Sequence, residues 1–396
     1  MNQHKKTAIV VGAGIAGASI CLALKKRGIQ TILIDSDSGP AEHASGNPIG
    51  VVYPFLTKHK TAESEFSLQA FIYFLSIWKN LKLGTLVPHK DGIYFLIDKE
   101  ESFDRYSHAL RSHQILSHIA SENDEPISGI RAIFFPEGKS LSPKDLTKQI
   151  LNITNPKTKY NCKLVSWNEL ENGEILCQTT DGQLPCDYLF LSQGYQFEDD
   201  PKSKWLPLKK VRGQILQIPE QNPTNTHGIL YGDYLTAPLQ GYQVLGATYD
   251  EFKLEEETRL EESESMWEGL IQKLPTLVSG WNLPNVRLFP TRVSYRTQSQ
   301  DRGPIVGKLP DISKIDLSIK YQNRLKKDGK EIKIPYFEQV GILNGLGSRG
   351  LTHSLYAAEI LVSSIFKEPD IVSERIFKYL QPDRFLFRMW KRDQLT

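Results

Sequence analysis

The chain has 396 residues, 40% of them apolar, which is enough for two hydrophobic cores and excludes a single small module. Its 48 Lys and Arg against 46 Asp and Glu leave a formal charge of +2, so any contact with a polyanion must come from a local patch. The four cysteines lack CxxC or zinc-like spacing, and no apolar run nears the roughly 20 residues that span a bilayer or forms a signal-peptide core. A reduced, metal-free cytoplasmic protein with no membrane segment is the expectation.

Residues 7–11 form a short β-branched run, a glycine cluster follows, and residues 15–26 carry apolar side chains at helical spacing. Gly28 ends that helix, and residues 31–34, closed by Asp35, make a second strand, so the unit is β-α-β with a parallel sheet. Residues 64–83 read as an aromatic helix and 92–97 as a strand, after which the pattern loses regularity. A Ser142-Pro143 start signal precedes a helix at 144–150, and the runs 163–167, 175–179 and 188–191 read as strands separated by Asn-Gly and Asp-Gly turns. Short strands with Gly and Pro fill 211–248 in the manner of an antiparallel sheet, and 255–273 is a charged amphipathic helix. Strand, glycine turn and helix return at 339–343, 344–350 and 351–366. The expected fold is α/β: a Rossmann-like nucleotide domain in segments 1–84, 140–206 and 290–375, an inserted α+β antiparallel-sheet substrate domain at 85–139 and 207–289, and a basic, aromatic tail at 376–396.

Gly12-Ala13-Gly14-Ile15-Ala16-Gly17 is a GxGxxG element leaving a strand and entering a helix. Gly12 suits the tight turn, Gly14 the approach of a pyrophosphate, and Gly17 close helix–sheet packing, while Asp35 can accept ribose hydroxyls. A carboxylate there disfavours NADP but leaves NAD and FAD open. The second cluster, Gly345-Leu346-Gly347-Ser348-Arg349-Gly350, would bring backbone donors and an arginine to a large ring system, which favours a flavin held between distant segments.

With these elements, the chain resembles the FAD-dependent amine oxidoreductases of the D-amino-acid oxidase and glycine oxidase superfamily. Within it the chain is similar to the oxidoreductase half of the bifunctional tRNA 5-methylaminomethyl-2-thiouridine biosynthesis proteins. The matches are Ala44-Ser45-Gly46-Asn47-Pro48, Tyr53-Pro54, Phe135-Pro136-Glu137-Gly138, Lys210-Val211-Arg212-Gly213-Gln214, Gly232-Asp233-Tyr234-Leu235-Thr236, Arg296, Asp301-Arg302-Gly303-Pro304-Ile305-Val306-Gly307, the second glycine cluster with Leu351, and Pro382-Asp383-Arg384-Phe385. The resemblance implies FAD, with Ser45, Gly46 and Asn47 by the flavin and pyrophosphate, the backbone near Val165 at the adenine, Gly194 in the cofactor shell, and Gly345, Gly347, Ser348, Arg349, Gly350 and Leu351 lining the isoalloxazine.

The implied reaction is oxidation of the carboxymethylaminomethyl group on a tRNA wobble uridine, releasing glyoxylate, with oxygen as acceptor. The chain begins a few residues before the first strand, so a separate methyltransferase would be needed for any methylation. Arg296 corresponds to the position that holds a substrate carboxylate, Arg349 to the flavin-side loop and Tyr234 to a substrate contact. A planar guanidinium suits a carboxylate because it pairs bidentately. For tRNA, the candidates are Arg384, Arg388, Lys391 and Arg392, interleaved with Phe385, Phe387 and Trp390, and the stretch 320–333. The rivals are an oxidase for a free amine such as glycine or sarcosine, and a non-catalytic flavoprotein that binds RNA or assists assembly.

Overall fold

The computed structural model describes residues 5–127, 129–221, 226–281, 285–315 and 334–391. The expected RNA-contact stretch 320–333 and Arg392 lie outside the described residues, as do the side chains of Phe387, Trp390 and Lys391.

The chain opens with β1 (Thr7–Val11), α1 (Ile15–Lys26), β2 (Gln30–Ile34), β3 (Gly50–Val52), α2 (Ala62–Asn80), β4 (His89–Ile97) and α3 (Glu100–Ser112). It continues through β5 (Ser121–Ile127), β6 (Ile130–Leu141), α4 (Pro143–Thr154), β7 (Lys157–Lys159), β8 (Leu164–Glu169), β9 (Ile175–Thr179), β10 (Gly182–Cys186) and β11 (Tyr188–Leu191). Next come β12 (Leu208–Pro219), β13 (Gly228–Leu230), β14 (Tyr234–Leu235), β15 (Tyr242–Gly246), α5 (Leu260–Lys273), α6 (Pro275–Val278) and β16 (Thr291–Ser299). The last elements are β17 (Ile305–Pro310), β18 (Tyr336–Asn344), α7 (Gly350–Ile365), α8 (Glu374–Leu380) and α9 (Arg384–Lys391).

Six strands in the order β17-β18-β11-β1-β2-β7 form the first sheet, parallel from β18 to β7 with β17 antiparallel at the edge. A parallel sheet needs cover on both faces, and the side chains of β1 alternate accordingly. Ala8 and Val10 enter the core beneath α1, α2, α4 and α7, whereas Ile9 and Val11 enter a second core with Trp167, Ile175 and Cys177 of the three-stranded sheet β8-β9-β10. Ile9 and Leu189 are fully buried, and each such side chain contributes roughly 2 kcal/mol. Ser142 caps α4 by accepting from the Asp145 N–H at 3.2 Å, with Pro143 in the first turn, as the sequence indicates.

The second sheet has nine strands, β16-β12-β15-β14-β13-β4-β6-β3 with β5 also on β6. It is antiparallel except where β13 runs parallel to β4, a departure from the wholly antiparallel unit expected. No hairpin joins these two strands, so no tight turn imposes an antiparallel pairing. Two segments expected in the nucleotide domain, β3 and β16, hydrogen-bond here instead, to β6 and β12, because local pattern does not specify which sheet a strand joins. Helix α5 begins later than the expected residue 255. The carbonyls of Glu255 and Glu257 accept from the buried Arg212 guanidinium at 2.8 and 2.6 Å and hold that stretch outside the helix.

All four cysteines are free and buried. Among the described residues no helix is long and apolar enough to cross a membrane, and no cluster of His, Cys, Asp or Glu is placed to hold a metal ion.

Candidate active site

Between the two sheets lies a cavity of about 650 Å³. One end is formed by the turn from β1 into α1. Gly12 has φ +105°, and a Cβ there would lie 2.4 Å from the Ser192 carbonyl oxygen, so only glycine fits. A Cβ on Gly17 would lie 1.8 Å from the Gly12 oxygen, which explains why helix and sheet can pack so closely. Asp35 accepts from the backbone N–H of Ala13 and of Asp37 (2.8 Å), and burial pushes its carboxyl pKa up despite both hydrogen bonds. The Ser45 hydroxyl accepts from the Ile15 N–H at 2.9 Å and so occupies the α1 N-terminus.

Asn47 is fixed by Arg292, whose Nη1 donates to its side-chain oxygen at 2.6 Å while Nη2 donates to the carbonyls of Glu42 and His43, both at 2.8 Å. Arg292 therefore clamps the 42–47 turn against the cavity. The sequence reading does not single it out, yet Arg292, Ser294, Arg296 and Gln298 alternate along β16. Four polar residues on one face of a strand whose other face carries Val293 and Tyr295 are the available signal.

The second glycine loop meets the first. Gly345 and Gly347 have φ +70° and +54°, and a Cβ on Gly350 would lie 3.7 Å from the Ile15 Cγ2. The N-termini of α1 and α7 thus lie side by side, and Gly347, Ser348, Arg349, Gly350 and Leu351 line the same cavity as Gly12, Gly14, Ile15, Ala16, Asp35, Ser45, Asn47 and Gly194. Gly17, Gly46 and Gly345 stand behind this wall and shape it. Val165 is not among the lining residues; its side chain is half exposed on β8. Two convergent helix N-termini, an acidic side chain at the end of β2 and a glycine-lined floor suit a pyrophosphate flanked by sugars and a planar ring. The residues present fit FAD.

The other end of the cavity holds Tyr234, Tyr249, Arg296, Gln298, Arg302, Arg349 and His353. Arg296 lies flat over Gly213, where a Cβ would be 2.7 Å from its Nη1, so the glycine makes room for the guanidinium. Its Nη1 donates to the Thr248 carbonyl at 3.1 Å. Among the described residues no carboxylate pairs with it. Burial lowers its pKa, with Tyr234 and Tyr249 opposing that shift. Burial likewise raises the Tyr234 phenol, with the Arg296 charge opposing, so the hydroxyl stays protonated and can donate.

Arg349 has company: its Nη1 lies 3.6 Å from Glu63 Oε1, and its guanidinium stacks 4.1 Å above the Phe55 ring. His353 is buried, and burial with the Arg349 charge pulls its pKa down to about 3, so it is neutral. Its Nε2 lies 3.1 Å from Ser67 Oγ, which itself accepts from the Phe55 N–H at 2.8 Å.

The basic, aromatic tail offers two readings, contact with RNA or docking on the body, and Arg384 and Phe385 follow the second. Arg384 pairs bidentately with Asp301 at 3.0 and 3.1 Å and is 8% exposed, and Phe385 is buried. Both dock the tail on the body. Arg384 cannot neutralise a phosphate without giving up its bidentate pair with Asp301.

The chain matches the FAD dependent oxidoreductase (DAO) family over residues 7–364. It is 30% identical over 413 residues to the tRNA 5-methylaminomethyl-2-thiouridine biosynthesis bifunctional protein MnmC of Leptospira borgpetersenii serovar Hardjo-bovis (strain JB197), covering 97% of this chain and 61% of that protein. The chain thus spans about three-fifths of the length of that relative. Its fold is shared by iminodiacetate oxidase from Chelativorans sp. BNC1 (TM-score 0.72, 19% identity, covering 93% of this chain and 98% of that one). It is also shared by glycine oxidase from Bacillus cereus ATCC 14579 (TM-score 0.72, 16% identity, 95% and 98%). With a glycine-lined dinucleotide cradle at one end of its cavity and the family matched along most of its length, the chain belongs to the FAD-dependent oxidoreductases of the D-amino-acid oxidase type.

Proposed function

We propose that this enzyme oxidises the CH–NH bond of an N-substituted glycine, the carboxymethylaminomethyl group on a tRNA wobble uridine. Loss of the electron pair and two protons, with oxygen as the terminal oxidant reduced to hydrogen peroxide, gives an imine, which water splits into glyoxylate and an aminomethyl group on the base, in the cytoplasm. The observation that carries the reading is Arg296, a guanidinium held inside the cavity with one carbonyl partner and, among the described residues, no carboxylate. The similarity to the tRNA biosynthesis proteins supports tRNA as the carrier of that carboxylate.

When bound, FAD supplies a two-electron acceptor for the methylene next to the amine. The chain's own contribution is to position the substrate. Arg296 offers a fork to the substrate carboxylate, and Gly213 beneath it leaves the guanidinium free to lie flat. Tyr234, fixed against Gly246 across the β14–β15 pair, donates its hydroxyl hydrogen to the same group. Arg349 stacked over Phe55 and the buried, neutral His353 form the wall on the α7 side. No protein base is required once the amine enters uncharged.

The test is incubation of the purified flavoprotein with tRNA carrying the carboxymethylaminomethyl nucleoside, read by mass spectrometry of the nucleosides and by assay of glyoxylate. Loss of the carboxymethyl group with one glyoxylate per event is expected. Oxygen uptake with free glycine or sarcosine and an unchanged tRNA would replace the reading with a free-amine oxidase, and a flavin that stays oxidised with every amine and tRNA would favour a non-catalytic role.

A further inference from the structure

Resting on the tRNA reading above, we propose that a cationic rim made by Lys58, Lys60, Arg302 and Arg388 seats the phosphates of single-stranded RNA at the cavity mouth.

The segment carrying the lysines is pinned by its backbone and free at its side chains. The Lys58 carbonyl accepts from His108 Nδ1 at 3.2 Å and from the Ser112 hydroxyl at 3.4 Å, the His59 carbonyl accepts from Thr57 at 2.7 Å, and the Lys60 carbonyl accepts from Arg375. The side chains of Lys58, His59 and Lys60 are exposed, and among the described residues no carboxylate pairs with either lysine. A loop held this way presents charge at little ordering cost when a ligand arrives.

The rim is continuous with the mouth. Arg375 and Tyr379 lie one turn apart on α8, and the Tyr379 hydroxyl abuts Gly303, where a Cβ would lie 2.7 Å away. Gly303 follows Arg302, which is exposed, lines the cavity and stands in a left-handed turn at φ +63°. Among the described residues Arg302 also lacks an ion-pair partner. Arg388 reaches Asp301 Oδ2 at 2.7 Å while 46% exposed, but Asp301 is already held bidentately by Arg384, so two guanidinia share one carboxylate.

The acidic groups along this stretch are matched. Glu63 lies 3.6 Å from Arg349 and Glu65 lies 3.7 Å from Arg375. The surplus is therefore cationic. Elsewhere on the surface, the approach to α5 carries exposed Glu255, Glu256, Glu257 and Glu261. A chain with formal charge +2 can attract a polyanion only through such a local imbalance, and phosphates would meet repulsion at the acidic segment and attraction at the Lys58–Arg302 side.

The experiment measures binding of the flavin-loaded protein to tRNA bearing the carboxymethylaminomethyl nucleoside across a salt series. Each cation–phosphate contact adds about 0.7 to the slope of log K against log salt for single strands. Lys58→Ala/Lys60→Ala, which alters only exposed side chains, is expected to lower the slope by about 1.4, and adding Arg388→Ala to lower it by about 2, with at least tenfold weaker binding at low salt and normal FAD content. Arg302→Ala should weaken binding in the same direction. An unchanged slope in the lysine double variant, with wild-type binding intact, overturns the rim. Equal loss from Lys157→Ala, an exposed lysine on the edge strand β7, does so too. Failure of the wild type to bind any tRNA overturns the tRNA reading itself.

Discussion

Two arginines on adjacent strands of the second sheet point to opposite faces and meet opposite surroundings. Arg212 on β12 is fully buried and saturated: Nη1 reaches both oxygens of Glu262 at 2.8 and 2.7 Å, and the rest of the fork donates to the Glu255 and Glu257 carbonyls and to Gln214. Arg296 on β16 pairs in register with Val211, packs over Gly213 and donates to one carbonyl. The protein closes one charge with its own atoms and leaves the other facing a cavity. A buried cation with every donor satisfied is part of the framework, whereas one with donors to spare is arranged for something that arrives later.

Substitutions can break this contrast in descending order of effect. Arg212→Met removes one of the two guanidinia on Glu262 and leaves the Glu255 and Glu257 carbonyls without their donor, so it should destabilise the fold by about 3 kcal/mol in denaturant unfolding, with flavin content per folded molecule retained. Arg296→Ala should leave unfolding unchanged or slightly improved. It should nevertheless lower kcat/KM at least tenfold, because an unpaired substrate carboxylate at a partly dry site costs roughly 2 kcal/mol; full activity with normal FAD would remove Arg296 from the site.

A carboxylate held by two arginines, Asp301 with Arg384 and Arg388, tests the same logic through pH. Burial pushes the Asp301 carboxyl up, but the hydrogen bonds and charges of Arg384 and Arg388 outweigh it and hold the pKa down to about 2. Because this lies below the unfolded value, the unfolded chain takes the proton first. The contribution, roughly 2 kcal/mol, is full above about pH 4 and is lost as the pH falls through 2. Asp301→Asn should flatten acid unfolding across that window. Arg349 is the intermediate case, lining the cavity yet already facing Glu63 with both side chains about a third exposed. Arg349→Ala should therefore cost less than about 1 kcal/mol, under tenfold in kcat/KM; a loss equal to that of Arg296→Ala would place both arginines on the substrate.

The first glycine cluster could be read before any fold was known because Gly12 and Gly17 stand where a Cβ would collide with backbone. Gly12 stands at φ +105° against the Ser192 carbonyl, whereas Gly347 stands at φ +54°, an angle that Lys82 and Gln114 also adopt. The strand–turn–helix frames around both clusters were legible through apolar spacing. Ile130–Leu141 was not, since Pro136 and Gly138 interrupt its alternation and are tolerated only at a register shift opposite Asp91 and Ile93. The tail likewise presented a basic, aromatic composition, and whether Arg384 was free depended on Asp301, 83 residues away.

By itself the sequence determined that a dinucleotide cradle exists and where its turns fall, because φ preferences and side-chain periodicity are local. Only the tertiary structure decided which arginine stays open, which sheet β3 and β16 join, and that Arg292 clamps Asn47 across 245 residues. Those outcomes depend on which partner a charge or a strand edge finds in space, and pairing over such separations leaves no mark in the residues on either side.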